Sequence, residues 1–158
     1  MLRKGSWPVM LMCVVVFVFG CNSAGHLRKK YVGKQFNATH FNDLEMNGTH
    51  SQKTEHYDFA YDYTIDPQQQ HIQLDGTMVY NKTADESLYH SETVLMKVDM
   101  MEVRVFFADE YGKVNGVETF YIKPGKNIFD PLDFNQTLPF RSDYKHILLS
   151  YNALLQGD

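Results

Sequence analysis

Cys21 closes the stretch Val18-Phe19-Gly20-Cys21, and a thiol in that place can do chemistry. Sulfur is the softest nucleophile a side chain offers, and as a thiolate it accepts an alkyl group readily. Gly20 leaves the bond before the thiol open to a peptidase. The other cysteine, Cys13, lies upstream in an apolar run. Beyond Cys21 the chain has no thiol left for a disulfide, so its stability has to come from packing.

The residues ahead of Cys21 have their own order. Arg3 and Lys4 come first, and Pro8 to Phe19 is almost wholly apolar. That run is shorter than the roughly 20 residues needed to span a bilayer, and it matches the apolar core of a signal peptide. The charge order keeps the amino end in the cytoplasm. The Val-Phe-Gly-Cys ending resembles the lipobox of bacterial lipoproteins. The resemblance covers the leader alone. It implies removal of residues 1–20, diacylglycerol on the Cys21 sulfur, and a fatty acyl group such as palmitate on the new amino terminus. Asn22, where an Asp would direct inner-membrane retention in that family, implies the outer membrane. The partner implied is therefore a membrane, held through Cys21. The competing expectation is a soluble secreted protein in which Cys21 is incidental. Four Asn-x-Thr sequons, at Asn37, Asn47, Asn81 and Asn135, speak for that alternative.

Tyr57, Tyr61 and Tyr63 form the other conspicuous pattern. As a row of rings they are a candidate ligand-binding platform for a glycan or small molecule. As one face of an alternating strand they are core, and the strict alternation favours core. Asp58 and Asp62 share the opposite face. At strand rise their Cα atoms are about 13 Å apart, whereas a retaining carboxylate pair needs about 5–5.5 Å. The seven histidines show no HxH or HExxH spacing. His56 and His71 are the pair expected to meet across a hairpin. Asp109, Glu110, Asp130 and Asp133 sit in turn-like sequence without a calcium-loop pattern. No metal or cofactor site is expected. The body lacks GxSxG, a P-loop, GxGxxG and a nucleophilic cysteine, so a non-enzymatic protein is expected.

The net charge is −4, and loss of Arg3 and Lys4 would make the remainder more acidic. A mildly acidic body argues against nucleic acid, whose phosphates need a basic surface, and against electrostatic adhesion to anionic lipid. Arg28-Lys29-Lys30 is the exception, a local basic run just after Cys21.

These residues need elements to hold them. Residues 22–53 are polar, with sparse apolar positions of no clear period, and read as a flexible tether with at most a short helical turn. From residue 54 the pattern turns to strands. Tyr57, Phe59, Tyr61, Tyr63 and Ile65 share one face; Ile72, Leu74, Gly76, Met78 and Tyr80 share another, with a turn at Asp66-Pro67-Gln68 between them. In the next strand the apolar parity slips near Met100, which predicts a β-bulge or break. Three more strands follow: VETFYIK, DFNQTLPF ended by Pro139, and YKHILLSYNALL. Six or seven strands without a long amphipathic helix predict an all-β chain, an antiparallel immunoglobulin-like β-sandwich. The body also resembles, at its FADEYGKV turn, small uncharacterised sandwich domains of bacterial lipoproteins.

The expected organisation is signal peptide 1–20, lipidated Cys21 with tether 21–53, and sandwich 54–158. The expected function is a membrane-anchored envelope lipoprotein acting as a protein-interaction or accessory module. The alternative is an extracytoplasmic glycan- or small-ligand-binding module.

Overall fold

Strict alternation over residues 57–66 makes strand β3 (Tyr57–Asp66), whose odd-numbered side chains from Tyr57 to Ile65 are buried. Asp66 Oδ1 accepts the Gln68 and Gln69 N–H groups, and the chain turns back. Strand β4 (His71–Tyr80) then pairs in register, Asp66 with His71 and Tyr57 with Tyr80. The computed structural model describes residues 22–81, 98–125 and 129–155. Residues 1–21, with the expected signal peptide and Cys21, the Lys82–His90 connection and the start of the following strand lie outside them.

Strand β5 (Val98–Ala108) runs down the middle of a second sheet, between β6 (Val114–Ile122) and β8 (His146–Leu155). Its register with β8 shifts between Val98 and Met100, where the parity slip predicted a bulge. Strand β7 (Leu132–Pro139) pairs with β4 and supplies Phe134 to the core. Together the strands form an antiparallel β-sandwich of two four-stranded sheets. Sheet 1 has the order β1-β8-β5-β6 and sheet 2 the order β2-β3-β4-β7. In the immunoglobulin constant type the successive strands B, C and D lie in alternate sheets. Here β2, β3 and β4 are consecutive neighbours.

The tether expected over residues 22–53 is corrected by the structure. Residues 22–31 form α1 (Asn22–Tyr31), Ala38–His40 make one 3₁₀ turn, and β1 (Asn42–Asp43) adds to β8. Strand β2 (Asn47–Gln52) pairs with β3 along its length. Its sequence, NGTHSQ, has no apolar alternation because it is an edge strand held by backbone pairing. Gln52 also reaches across to β8, where its side-chain oxygen accepts the Leu149 N–H at 3.0 Å. The sandwich therefore begins before residue 54.

The main core lies between the sheets and is rich in aromatic rings, including Tyr57, Phe59, Phe107 and Phe134. A second apolar cluster lies on the outer face of sheet 1. There Phe106, Ala108 and Val117 are covered by Leu27 of α1 and by Phe41, with Tyr31 and Phe36 packed around them.

Two glycines test the packing. A Cβ on Gly76 would come within 2.6 Å of both the Ala60 carbonyl and the Phe134 ring. Backbone cannot step aside cheaply, so Gly76→Ala is expected to destabilise by about 1–3 kcal/mol in urea titration. Gly25 in α1 has nothing within 4 Å of such a Cβ. There Gly25→Ala is expected to raise stability by about 0.5–1 kcal/mol, through lower unfolded-state entropy and better helix propensity.

Candidate functional site

The tyrosine row does not form a ligand platform. Tyr57, Tyr61 and Tyr63 are 0%, 2% and 3% exposed, and they face the opposite sheet. Their hydroxyls are part of the internal architecture. Tyr61 Oη accepts the Asn42 side-chain amide at 2.9 Å, and Tyr63 Oη accepts the Glu45 N–H at 2.9 Å. These bonds tie β3 to the residues around β1. The alternation that favoured core is the reason: odd positions of a strand flanked by two others face the opposite sheet.

The histidines do not converge either. His56 stands beside Asn81 at one end of the β3–β4 hairpin, and His71 pairs with Asp66 at the other. His50 stacks on Tyr63 with ring centroids 5.5 Å apart, and His146 Nδ1 lies 2.9 Å from Asp43. Asp109 closes its own turn, accepting the Tyr111 and Lys113 N–H groups. Asp133 faces Thr77 across the β4–β7 pair. Among the described residues no group of three or more His, Cys, Asp or Glu side chains could hold a metal ion.

The residues that do come together surround α1. Leu27, 6% exposed, pins the helix to the outer side of sheet 1. Arg28 reaches round the edge of β6, bonding the Val117 carbonyl at 3.4 Å and pairing with Glu118. After the helix, Gly33 N–H donates to the Val114 carbonyl and Val114 N–H to the Lys34 carbonyl, at 2.8 and 2.9 Å. Gln35 bridges to Lys113. The segment Leu27–Phe36 is thus attached to β6 and the turn before it at successive points.

Between α1, β6 and the turn before β8 runs an open groove of about 640 Å³. Arg28, Lys29 and Arg141 line it together with Asn115, Glu118 and Tyr144. Tyr144 stacks flat on Phe107, with centroids 4.4 Å apart and planes at 3°. Gly116 makes that stack possible, since a Cβ there would meet Tyr144 Oη at 2.2 Å. Arg141 pairs with Asp143 at 2.6 Å, leaving Lys29 as the groove's cation without an ion-pair partner among the described residues. The groove is open, mixed polar and apolar in its lining, and cationic along its α1 wall.

The basic run Arg28-Lys29-Lys30 was visible in the sequence, but its fixed position was not. The signal for that position was the run Val105-Phe106-Phe107-Ala108, apolar at both parities. Such a run needs cover on two faces, and α1 with its following residues supplies the second.

The sequons occupy varied settings. Asn37, Asn47 and Asn135 are exposed, while Asn81 is half-buried beside Asp58. Asn37 Oδ1 accepts the Thr39 N–H at 3.1 Å, and Asn135 Oδ1 accepts from Gln73 at 2.7 Å.

Burial of the tyrosines has a pH consequence. Desolvation pushes Tyr61 up to about 12, and it raises Tyr57 as well. Below pH 10 these phenols are protonated in both folded and unfolded chains, so they leave stability unchanged. Above pH 10 the unfolded chain ionises first, and stability falls by up to about 1.4 kcal/mol per pH unit for each such group. Absorbance at 295 nm should show these phenols ionising together with unfolding rather than near pH 10. For α1, Leu27→Ala should cost about 2 kcal/mol or more and speed amide exchange over residues 22–36.

A scan against protein-family models, a search of curated proteins and a search of solved structures each return no match to this chain.

Proposed function

We propose that the chain is an envelope lipoprotein, acylated at Cys21 and addressed to the outer membrane, whose β-sandwich is a non-enzymatic interaction or accessory module. The observation that carries this reading is the order of three features over a few residues. A signal-like apolar run ends in Gly20-Cys21, and α1 begins at Asn22, docked on the sandwich by Leu27. Acyl chains contribute about 0.8 kcal/mol per buried CH₂, so two or three suffice to hold a protein of this size on a bilayer.

The short distance from Cys21 to the packed helix supports a module held close to the bilayer rather than one lifted away on a long tether. Among the described residues no helix is long and apolar enough to cross a membrane. A face of short polar side chains on sheet 2, with the row Thr49, Asp62, Asp75 and Asn135, offers a surface for a protein partner. The glycan-platform reading has lost the three tyrosines that supported it.

The test is the intact mass of the protein taken from its native membrane, with its N-terminal peptide fragmented. A start at Cys21 carrying acyl mass is expected, and Cys21→Ala should move the protein from the membrane fraction to the aqueous one. A lipid-free start elsewhere, or glycan on Asn37, Asn47 or Asn135, would replace this reading with a soluble secreted domain.

A further inference from the structure

The molecule is electrically two-sided. The four strands of sheet 2 contain no lysine or arginine, yet they carry Asp58, Asp62, Asp66, Asp75 and Asp133. Asp62 and Asp75 stand directly opposite each other on neighbouring strands. Beyond the outer face of sheet 1, on the other side of the sandwich, lie Arg28, Lys29, Lys30 and Lys34, with Lys113 bridged to Gln35 beside them.

The charges on that side do not cancel locally. Arg28 is taken by Glu118, and Asp109 is occupied by the backbone of its own turn. Of the other carboxylates on this side, Asp43 lies against His146 and Glu102 pairs with Arg104, while Glu110 stands in the turn before Lys113. Among the described residues, Lys29, Lys30, Lys34 and Lys113 have no carboxylate at ion-pair distance, whereas Arg141 is taken by Asp143. Lys30 and Lys34 lie over the Tyr31 ring at 5.1 and 5.6 Å, which holds both ammonium groups beside the helix end. Val32 and Tyr111, 44% and 72% exposed, stand among them. Lysines interleaved with an exposed aliphatic and an exposed aromatic side chain suit a lipid headgroup layer, where cations meet phosphate and amphipathic rings settle at the interface.

We propose that Lys29, Lys30, Lys34 and Lys113 rest on anionic lipid headgroups, fixing the sandwich with sheet 1 toward the bilayer and the acidic face of sheet 2 away from it. The inference rests on the proposed anchor at Cys21, because an anchor ahead of α1 delivers this surface to the bilayer. Acyl chains alone would hold the protein without choosing a face. The lysines choose it, since headgroup potential decays within about 10 Å at 0.1 M salt and acts only on groups brought against it. The same decay leaves the aspartates of sheet 2, on the far side of the sandwich, little repelled.

The test uses the body from Cys21 onward. Its described core begins at Leu27, so removing residues 1–20 takes nothing described from the packing. Its single thiol is coupled to a maleimide-bearing lipid, which places it on vesicles whether or not the cell acylates it. Lysine acetylation is followed site by site by mass spectrometry on phosphatidylglycerol/phosphatidylethanolamine vesicles and on phosphatidylcholine vesicles. Lys29, Lys30, Lys34 and Lys113 should react at least fivefold more slowly on the anionic vesicles, and 0.5 M salt should abolish the difference. Lys53, exposed just after β2 at the edge of sheet 2, should react equally on both. Equal rates for all lysines on the two vesicle types, or equal slowing at Lys53, would overturn the orientation. The lipoprotein reading itself stands or falls separately, on the native mass.

Discussion

Strand β5 is apolar on both faces over its second half, and that constraint shapes the rest of the molecule. Val103, Val105 and Phe107 face the opposite sheet, while Phe106 and Ala108 face outward. A strand of that kind cannot stand at a solvent-facing layer. Sheet 2 covers the inward side. The outward side needs a third layer, and the chain supplies it from residues 27–41, with Leu27, Tyr31, Phe36 and Phe41 arranged over Phe106. The position of the basic run, the shape of the groove and the closeness of α1 to residue 21 all follow from that covering.

The aromatic content has a related role. Without a disulfide in the described body, the sheets are held by large rings meeting edge to face across the core, such as Tyr57 of β3 with Tyr151 of β8. Tyrosine in a core demands a partner for its hydroxyl. Asn42 and the Glu45 backbone provide partners for Tyr61 and Tyr63. The chain before the first long strand is thereby recruited into the sandwich by polar bonds as well as by apolar cover.

Much of this was legible in the sequence where one physical signal dominated. The β3–β4 hairpin was plain because alternation and the Asp-Pro turn agree, and the parity slip at Met100 marked the β5 irregularity. Strand β2 was hidden because its stabilisation is almost all backbone pairing, which leaves no mark on side-chain pattern. Helix α1 was hidden because, among its described side chains, Leu27 and Tyr31 are the apolar anchors, too few for a recognisable period. The tyrosine row was visible, and its burial was the favoured reading; its hydroxyl partners, distant in sequence, were not. Of the cationic site, the run at residues 28–30 could be read directly. Lys34 and Lys113 join it only through pairing between residues far apart in the chain.

The attachment of α1 also has a mechanical meaning. A pull on the chain at residue 22 loads the helix before any strand. Leu27 and the Arg28–Glu118 pair would yield in sequence, like a zip opened from its end, whereas β5 between β6 and β8 would share its load across two full ladders. The first thing uncovered by such tension would be the outward side of Phe106 and Val117. Traction on this protein would therefore expose an adhesive apolar surface while the sandwich beneath stays closed.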